Sequence, residues 1–255
     1  MVIPLLELKD VSRRFGGVAA LSDVSFSVPA GAVIGLIGPN GSGKTTLMNV
    51  ISGVDAPTKG AVLLDGVPIH GVPANRLARR GVSRTFQHIR LIPELTAGQN
   101  VTLALHAPSA GPFDILLRLP RLRRVELDRH ARAVELLRKV GIGQHASTLA
   151  GDLSYSDRRQ VEIARALASE PRLLLLDEPA AGMTHGERTS LRDLIAGLPA
   201  LGVTVLLVEH DMDLMMSVCD EIHVLNQGSS IASGKPEEVR ANPRVIEAYL
   251  GAEDA

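Results

Sequence analysis

Tryptophan is absent from this chain, and only four phenylalanines and two tyrosines stand among its 255 residues. A core must therefore be assembled from Leu, Val, Ile and Ala, which the 45% hydrophobic fraction supplies. Each aromatic (Phe15, Phe26, Phe86, Phe113, Tyr155, Tyr249) then needs its own account. Cysteine is nearly missing as well: the single Cys219 excludes an intrachain disulfide and a thiolate metal cluster, and it suits a reducing compartment. Long apolar runs are lacking, since the longest, at 173–176 and 203–208, fall far short of the roughly 18 to 20 residues a bilayer demands. Residues 1–10 show neither the basic start nor the apolar stretch of a secretory signal. The expectation is a cytoplasmic chain that does not cross a membrane by itself. Excess charge of either sign is also wanting: a formal net charge of −1 gives no overall pull toward nucleic acid or anionic lipid. The short basic clusters at 79–80 and 121–124 read as solvated faces or partner contacts, and no nucleic-acid partner is expected.

What is present is an alternation of short strands and helices. Residues 5–9 and 20–28 read as β-strands, the second alternating Val24, Phe26 and Val28 against polar neighbours before the turn at 29–31. An apolar run at 33–37 meets a Gly-rich turn and a helix-compatible stretch at 44–51, the strand, loop, helix order of a nucleotide fold. Strands are expected at 61–65 and 82–86, and helical spacing dominates 97–169, as in Val134, Leu137 and Val140. Within it, 106–122 holds Pro108, Pro112 and Pro120 and predicts a loop or short exposed helix. From Pro171 onward, strands at 173–176, 203–208, 221–225 and 229–233 alternate with helices at 185–196 and 212–218, ending in helices after Pro236 and Pro243. Continuous apolar runs suit strands covered on both faces.

The segment Gly38-Pro39-Asn40-Gly41-Ser42-Gly43-Lys44-Thr45 fits the phosphate-binding loop in full, in the required strand-to-helix setting, and Thr46 follows at the helix start. Glycines let consecutive N–H groups converge on one concavity at a helix N-terminus, where orphan donors and the helix dipole hold phosphate oxygens. Lys44 adds a charge for the β- and γ-phosphates, and the Thr45 hydroxyl is a candidate Mg2+ ligand. Downstream, an apolar strand ends in Asp177-Glu178, at the end of a strand, where α/β sheets place ligands. Neighbours on a strand point oppositely, so the two carboxylates predict two jobs. Asp177 is the candidate Mg2+ holder; Glu178 is the candidate general base for an attacking water, a role worth about 10²- to 10⁴-fold in rate. These two motifs alone fit many phosphoryl-transfer proteins.

The stretch at 153–167, Leu-Ser-Tyr-Ser-Asp-Arg-Arg-Gln-Val-Glu-Ile-Ala-Arg-Ala-Leu, narrows the choice, because here the sequence resembles the ABC ATPase family. Read from its residues, Ser154 followed by Asp157 is a helix start. The resemblance implies more: a signature motif in which Ser154, Tyr155 and Ser156 contact the γ-phosphate of ATP held by the opposite subunit. It likewise implies that Gln87 is the Q-loop glutamine, sensing Mg2+ and water, and that His210 is the switch histidine at the γ-phosphate. Taken singly, Gln87 reads rather as an exposed loop residue and His210 as a strand-end histidine bonded to backbone; five motifs in family order reverse this and favour the functional roles. Phe15, placed 23 residues before Gly38, matches the family's adenine-stacking aromatic, with a core phenylalanine as the alternative.

The stretches 15–17, 84–91, 226–228 and 242–251 are similar to the ATP-binding subunit of branched-chain amino acid importers, and the likeness runs along essentially the whole chain. It implies an α/β fold: a P-loop NTPase core of the ABC ATPase type (1–86 and 171–235) with an N-terminal antiparallel β region, an inserted helical subdomain (87–170) and C-terminal helices (236–255). It also implies ATP and Mg2+ as ligands, and a second ATPase subunit, identical or related. Two membrane-spanning permease subunits contacted around 88–100, an indirect solute-binding protein and a place at the cytoplasmic face of the membrane complete the expectation. A soluble ABC ATPase remodelling a ribosomal or nucleic-acid complex is the alternative. Two departures stand out. Ser156 occupies a site usually held by Gly, costly if φ there is positive and suitable if it is a helix N-cap. Thr184 stands where Asp is common, yet its spacing to Glu187 fits a capping box.

Overall fold

The computed structural model describes residues 3–85, 87, 89–105 and 120–250. The chain forms two compact units, one from residues 1–84 and 172–255, the other from residues 85–171.

The first unit holds two sheets. In the smaller, β1 (Leu6–Phe15), β2 (Val18–Val28), β4 (Lys59–Leu64) and β5 (Val67–Pro68) are ordered β2-β1-β4-β5, and every pairing is antiparallel. β1 and β2 form one long hairpin, whereas alternation predicted a shorter first strand. The register shifts three times between Leu8 and Arg14, and Asp10 and Asp23 both take positive φ, so the period of two breaks within β1 after Leu8. The larger sheet joins β3 (Val33–Ile37), β6 (Val82–Arg84), β7 (Leu173–Asp177), β8 (Thr204–Val208), β9 (Glu221–Asn226) and β10 (Ser229–Gly234) in the order β10-β9-β3-β8-β7-β6. All its pairings are parallel except the edge hairpin of β9 and β10. β3, β7 and β8 are buried at every position, which explains their unbroken aliphatic runs.

Helices α1 (Lys44–Ile51) and α2 (Ala74–Arg79) belong to this unit. One aliphatic core takes Leu47, Met48 and Ile51 of α1 together with Leu6, Leu21 and Val62 of the small sheet and Leu36, Leu175 and Leu206 of the large one. By area arithmetic each such side chain contributes about 1.5–3 kcal/mol.

The second unit carries α3 (Ala97–Thr102), α4 (Pro120–Lys139) and α5 (Tyr155–Leu167). Leu137 and Val161 are fully buried. Among the described residues α4 runs from Pro120, so the end of the stretch 106–122, where the sequence predicts a loop or short exposed helix, is helical. Residues 106–119 of that stretch, like Phe86, lie outside the described residues. Back in the first unit, α6 (His185–Gly197), α7 (Met212–Val218), α8 (Pro236–Arg240) and α9 (Pro243–Leu250) follow the strands.

Candidate active site

In the first unit, the carboxyl ends of β3, β7 and β8 are adjacent because these strands are parallel neighbours: Leu36 pairs with Val208, and Val208 with Asp177. A doubly covered parallel sheet opens its ligand crevice at these ends. Residues 38–43 leave β3 and run into α1, whose N-cap, Gly43, has φ 104° and offers no side chain to the helix. A Cβ at Gly38 would lie 2.1 Å from the Leu225 carbonyl oxygen, and one at Gly43 2.7 Å from that of Ala20, so only glycine allows the loop to sit this close to its supports. The supports are bonded as well: the Gly228 N–H donates to the Ser42 carbonyl (3.0 Å), and the Ser22 N–H donates to the Gly228 carbonyl (2.8 Å). This gives the segment 226–228, noticed in the sequence only by resemblance, a physical task behind the loop.

The loop's polar groups fit an anion. Ser42 is 2% exposed, and its buried hydroxyl has no hydrogen-bond partner among the described residues. The Lys44 ammonium donates to the carbonyls of Gly38 (2.7 Å) and Pro39 (2.9 Å). Burial pulls its pKa below the ordinary lysine range, opposed by the charges of Glu178 and Asp177 close by. Asn40, Gly41 and Thr45 are exposed and Thr46 half-buried at the mouth of the same loop and helix.

Asp177 is buried at the end of β7, paired with Arg84 at 2.8 Å, the two side chains 10% and 7% exposed. Arg84 also donates to Asn49 (2.7 Å) and Ser52 (3.1 Å) at the far end of α1. Nothing in the sequence marks Arg84 for this, because its partner lies 93 residues away. Glu178 continues the ladder through its N–H to the Val208 carbonyl (2.8 Å), but with φ 47°. That left-handed conformation costs a non-glycine residue on the order of 1 kcal/mol or more, and such strain gathers at functional sites. Its Oε1 lies 2.9 Å from Nε2 of His210, which follows β8. Glu209, the residue between, is buried and bonded to backbone; burial raises its pKa, opposed by N–H groups of Ala180, His210 and Asp211. Phe15 ends β1 with 45% exposure and the Arg13 guanidinium 4.4 Å over its ring, so it is a surface aromatic and not a core one.

In the second unit, Ser154 is the N-cap of α5, accepting from the Asp157 N–H (3.1 Å) and donating to the Asp157 carboxylate (2.8 Å). Tyr155 is exposed and Ser156 is buried. Neither circumstance weighed for Ser156 occurs: it lies in the first turn of α5 without positive φ, and the cap is Ser154. Gln87 is exposed, and its carbonyl accepts from Arg159 (2.7 Å), a fully buried residue of α5 paired with Glu162 at 2.7 Å. The structure thus brings Lys44, Asp177, Glu178 and His210 together within one unit, and Gln87 with the start of α5 within the other.

The fold and this loop define a nucleotide-binding cassette. The profile of the ABC transporter family matches residues 21–181, and that of the branched-chain amino acid ATP-binding cassette transporter matches residues 230–255. The chain belongs to the ABC transporter family as an ATP-binding subunit, and is an ATPase. Within it, the chain is 44% identical over 250 residues to the high-affinity branched-chain amino acid transport ATP-binding protein LivG of Escherichia coli K12, covering 97% of this chain and 98% of LivG. It is 45% identical over 250 residues to BraF of Pseudomonas aeruginosa, of the same description, with the same coverage. Among solved structures, the ADP conformation of an ATP-binding cassette of an ABC transporter superimposes with a TM-score of 0.84 at 31% identity, over 98% of this chain and all of that one.

Proposed function

We propose that this chain powers an importer of branched-chain or closely related amino acids from the cytoplasmic face of the membrane. It is held there by two membrane-spanning permease subunits, works with a second cassette, identical or related, and meets an external solute-binding protein only through the permeases. The names of LivG and BraF support the cargo. No helix among the described residues is long and apolar enough to cross a membrane, which agrees with attachment through partners.

In this reading the backbone of residues 40–43, with Lys44, Thr45 and Thr46, holds the triphosphate of ATP, and Phe15 stacks on the adenine. Thr45 and Asp177 would hold Mg2+, which would neutralise charge on the β- and γ-phosphates. Glu178 takes the proton of the attacking water and His210 orients the γ-phosphate. Ser154, Tyr155 and Ser156 of the second cassette complete the site. The observation that carries the reading is the 2.9 Å pair of Glu178 and His210 on neighbouring strand ends, with the Glu178 charge acting on buried Lys44. Glu178→Gln should lower steady-state phosphate release by about 100-fold or more while keeping nucleotide affinity; undiminished turnover would remove Glu178 as the base. For the cargo, vesicles bearing the chain with its permeases and enclosed ATP should take up labelled leucine, isoleucine or valine. Uptake of an unrelated solute in their place would overturn that part.

A further inference from the structure

Glu209 is a carboxylate in an expensive place, 4% exposed and one residue before His210. A buried acid is tolerated when donors surround it, and here the donors come from two loops. One carboxylate oxygen accepts from the Ala180 N–H at 2.6 Å, two residues beyond Glu178; the other accepts from the His210 N–H at 3.0 Å. The backbone of Asp211 bonds it too. The side chain therefore spans the turn leaving β7 and the turn leaving β8, just past the last ladder bond between these strands, Glu178 N–H to Val208 carbonyl. A second tie spans the same turns from the solvent side: Arg188 donates to the Met183 carbonyl (3.2 Å) and to the Asp211 carboxylate (2.9 Å).

These turns carry the 2.9 Å pair of Glu178 and His210. Glu178 adopts left-handed backbone, which persists only where the surroundings over-determine it. Anchoring Ala180 fixes the chain immediately after Glu178, and anchoring the His210 N–H fixes the root of the imidazole.

We propose that Glu209 is a positioning residue for ATP hydrolysis, whose carboxylate sets the geometry of Glu178 against His210 without itself meeting the nucleotide. The inference rests on the assignment of Glu178 and His210 to hydrolysis made above.

The test uses the full chain with Glu209→Gln, Glu209→Ala and, alongside, Glu178→Gln. Gln keeps the shape but faces one backbone N–H with an amide N–H; Ala removes both arms. Misplacing a reacting group by about 1 Å costs on the order of 100-fold. The expected result is a kcat lower by about 10- to 100-fold in E209Q and lower still in E209A, with KM for ATP and equilibrium nucleotide affinity within about twofold of wild type. Turnover at the wild-type level in both Glu209 variants, with E178Q inactive, overturns the inference and leaves the assignment of the base standing. Joint loss of turnover, nucleotide affinity and the cooperative thermal transition makes Glu209 a packing residue and also overturns it. Full activity in E178Q removes the base and the inference together.

Discussion

His223 sits in β9, 6% exposed, its ring stacked on Phe26 with centroids 4.4 Å apart. Burial depresses its pKa from the ordinary 6.5 to about 4, so the native chain keeps it neutral where the unfolded chain would protonate it. The sign follows: between pH 6.5 and 4 the unfolded state binds more protons, and stability falls as pH falls, by about 1.4 kcal/mol per unit. The stability is intact above pH 6.5, and its loss levels off below pH 4 at about 3 kcal/mol. His223→Phe keeps the stack and should flatten this slope, visible as a smaller drop in the urea midpoint between pH 7 and 5 than in the wild type. Arg159 is housed in the opposite way, as a permanent charge with no exposure: it is paired with Glu162 and donates to the Gln87 carbonyl. Removing Glu162 would take away the carboxylate that pairs with that buried charge at 2.7 Å.

At the scale of elements, the segment at 92–96 is organised by a residue the sequence did not advertise. Asn100 of α3 is fully buried; its side chain accepts from the Ile92 N–H (2.9 Å) and donates to the carbonyls of Ile92, Leu95 and Thr96. This leaves Ile92 43% exposed. In the proposed importer this segment meets the permeases, and an exposed isoleucine is an apolar contact for them. Ile92→Asp should detach the chain from its permeases in co-purification while phosphate release by the isolated chain stays near wild type. Co-purification unchanged by the substitution would move the contact elsewhere. The elements most legible in the sequence were those with sharp local signals. α1 and α7 have the bounds the sequence predicts, α1 after a Gly-rich turn; the cap of α7, Asp211, whose side chain accepts from the Leu214 N–H, was not read from the sequence. Thr184 and Glu187 meet as their spacing predicted, with the Thr184 N–H and hydroxyl both 2.7 Å from the Glu187 carboxylate. β5 and α2 were missed, because two and six residues carry no readable period. The motif residues that the structure gathers in the candidate site, Lys44, Asp177, Glu178 and His210, carry local signals of the same kind. Arg84 and Glu209 were not read as part of it, since what distinguishes them is a partner 93 or 29 residues away.

For the whole molecule, the proposed pairing of two cassettes is open to a direct measurement. If the start of α5 in one copy completes the nucleotide site of the other, a variant that binds ATP without hydrolysing it should accumulate as a pair. Glu178→Gln should sediment as a dimer with Mg2+ and ATP and as a monomer with ADP. Adding Ser154→Arg, which places a bulky cation at the exposed cap of α5, should abolish the ATP-dependent species. A monomer under both nucleotides would count against head-to-tail closure of identical chains and favour a related chain as partner. Ser154 already shares its hydroxyl with the Asp157 carboxylate, so an incoming phosphate would have to compete with that acid.

The bonds from Ser22 to Gly228 and from Gly228 to Ser42 bear on how this protein tells one nucleotide from another. A loop already braced from behind need not be ordered by its guest, so little binding free energy goes into shaping it. The same stiffness prevents it from wrapping further around a longer guest. In the proposed function, gripping a polyphosphate tail and counting its phosphates thus become separate tasks: the braced loop would grip, and the count would fall to Glu178 and His210, whose turns arise from other strands.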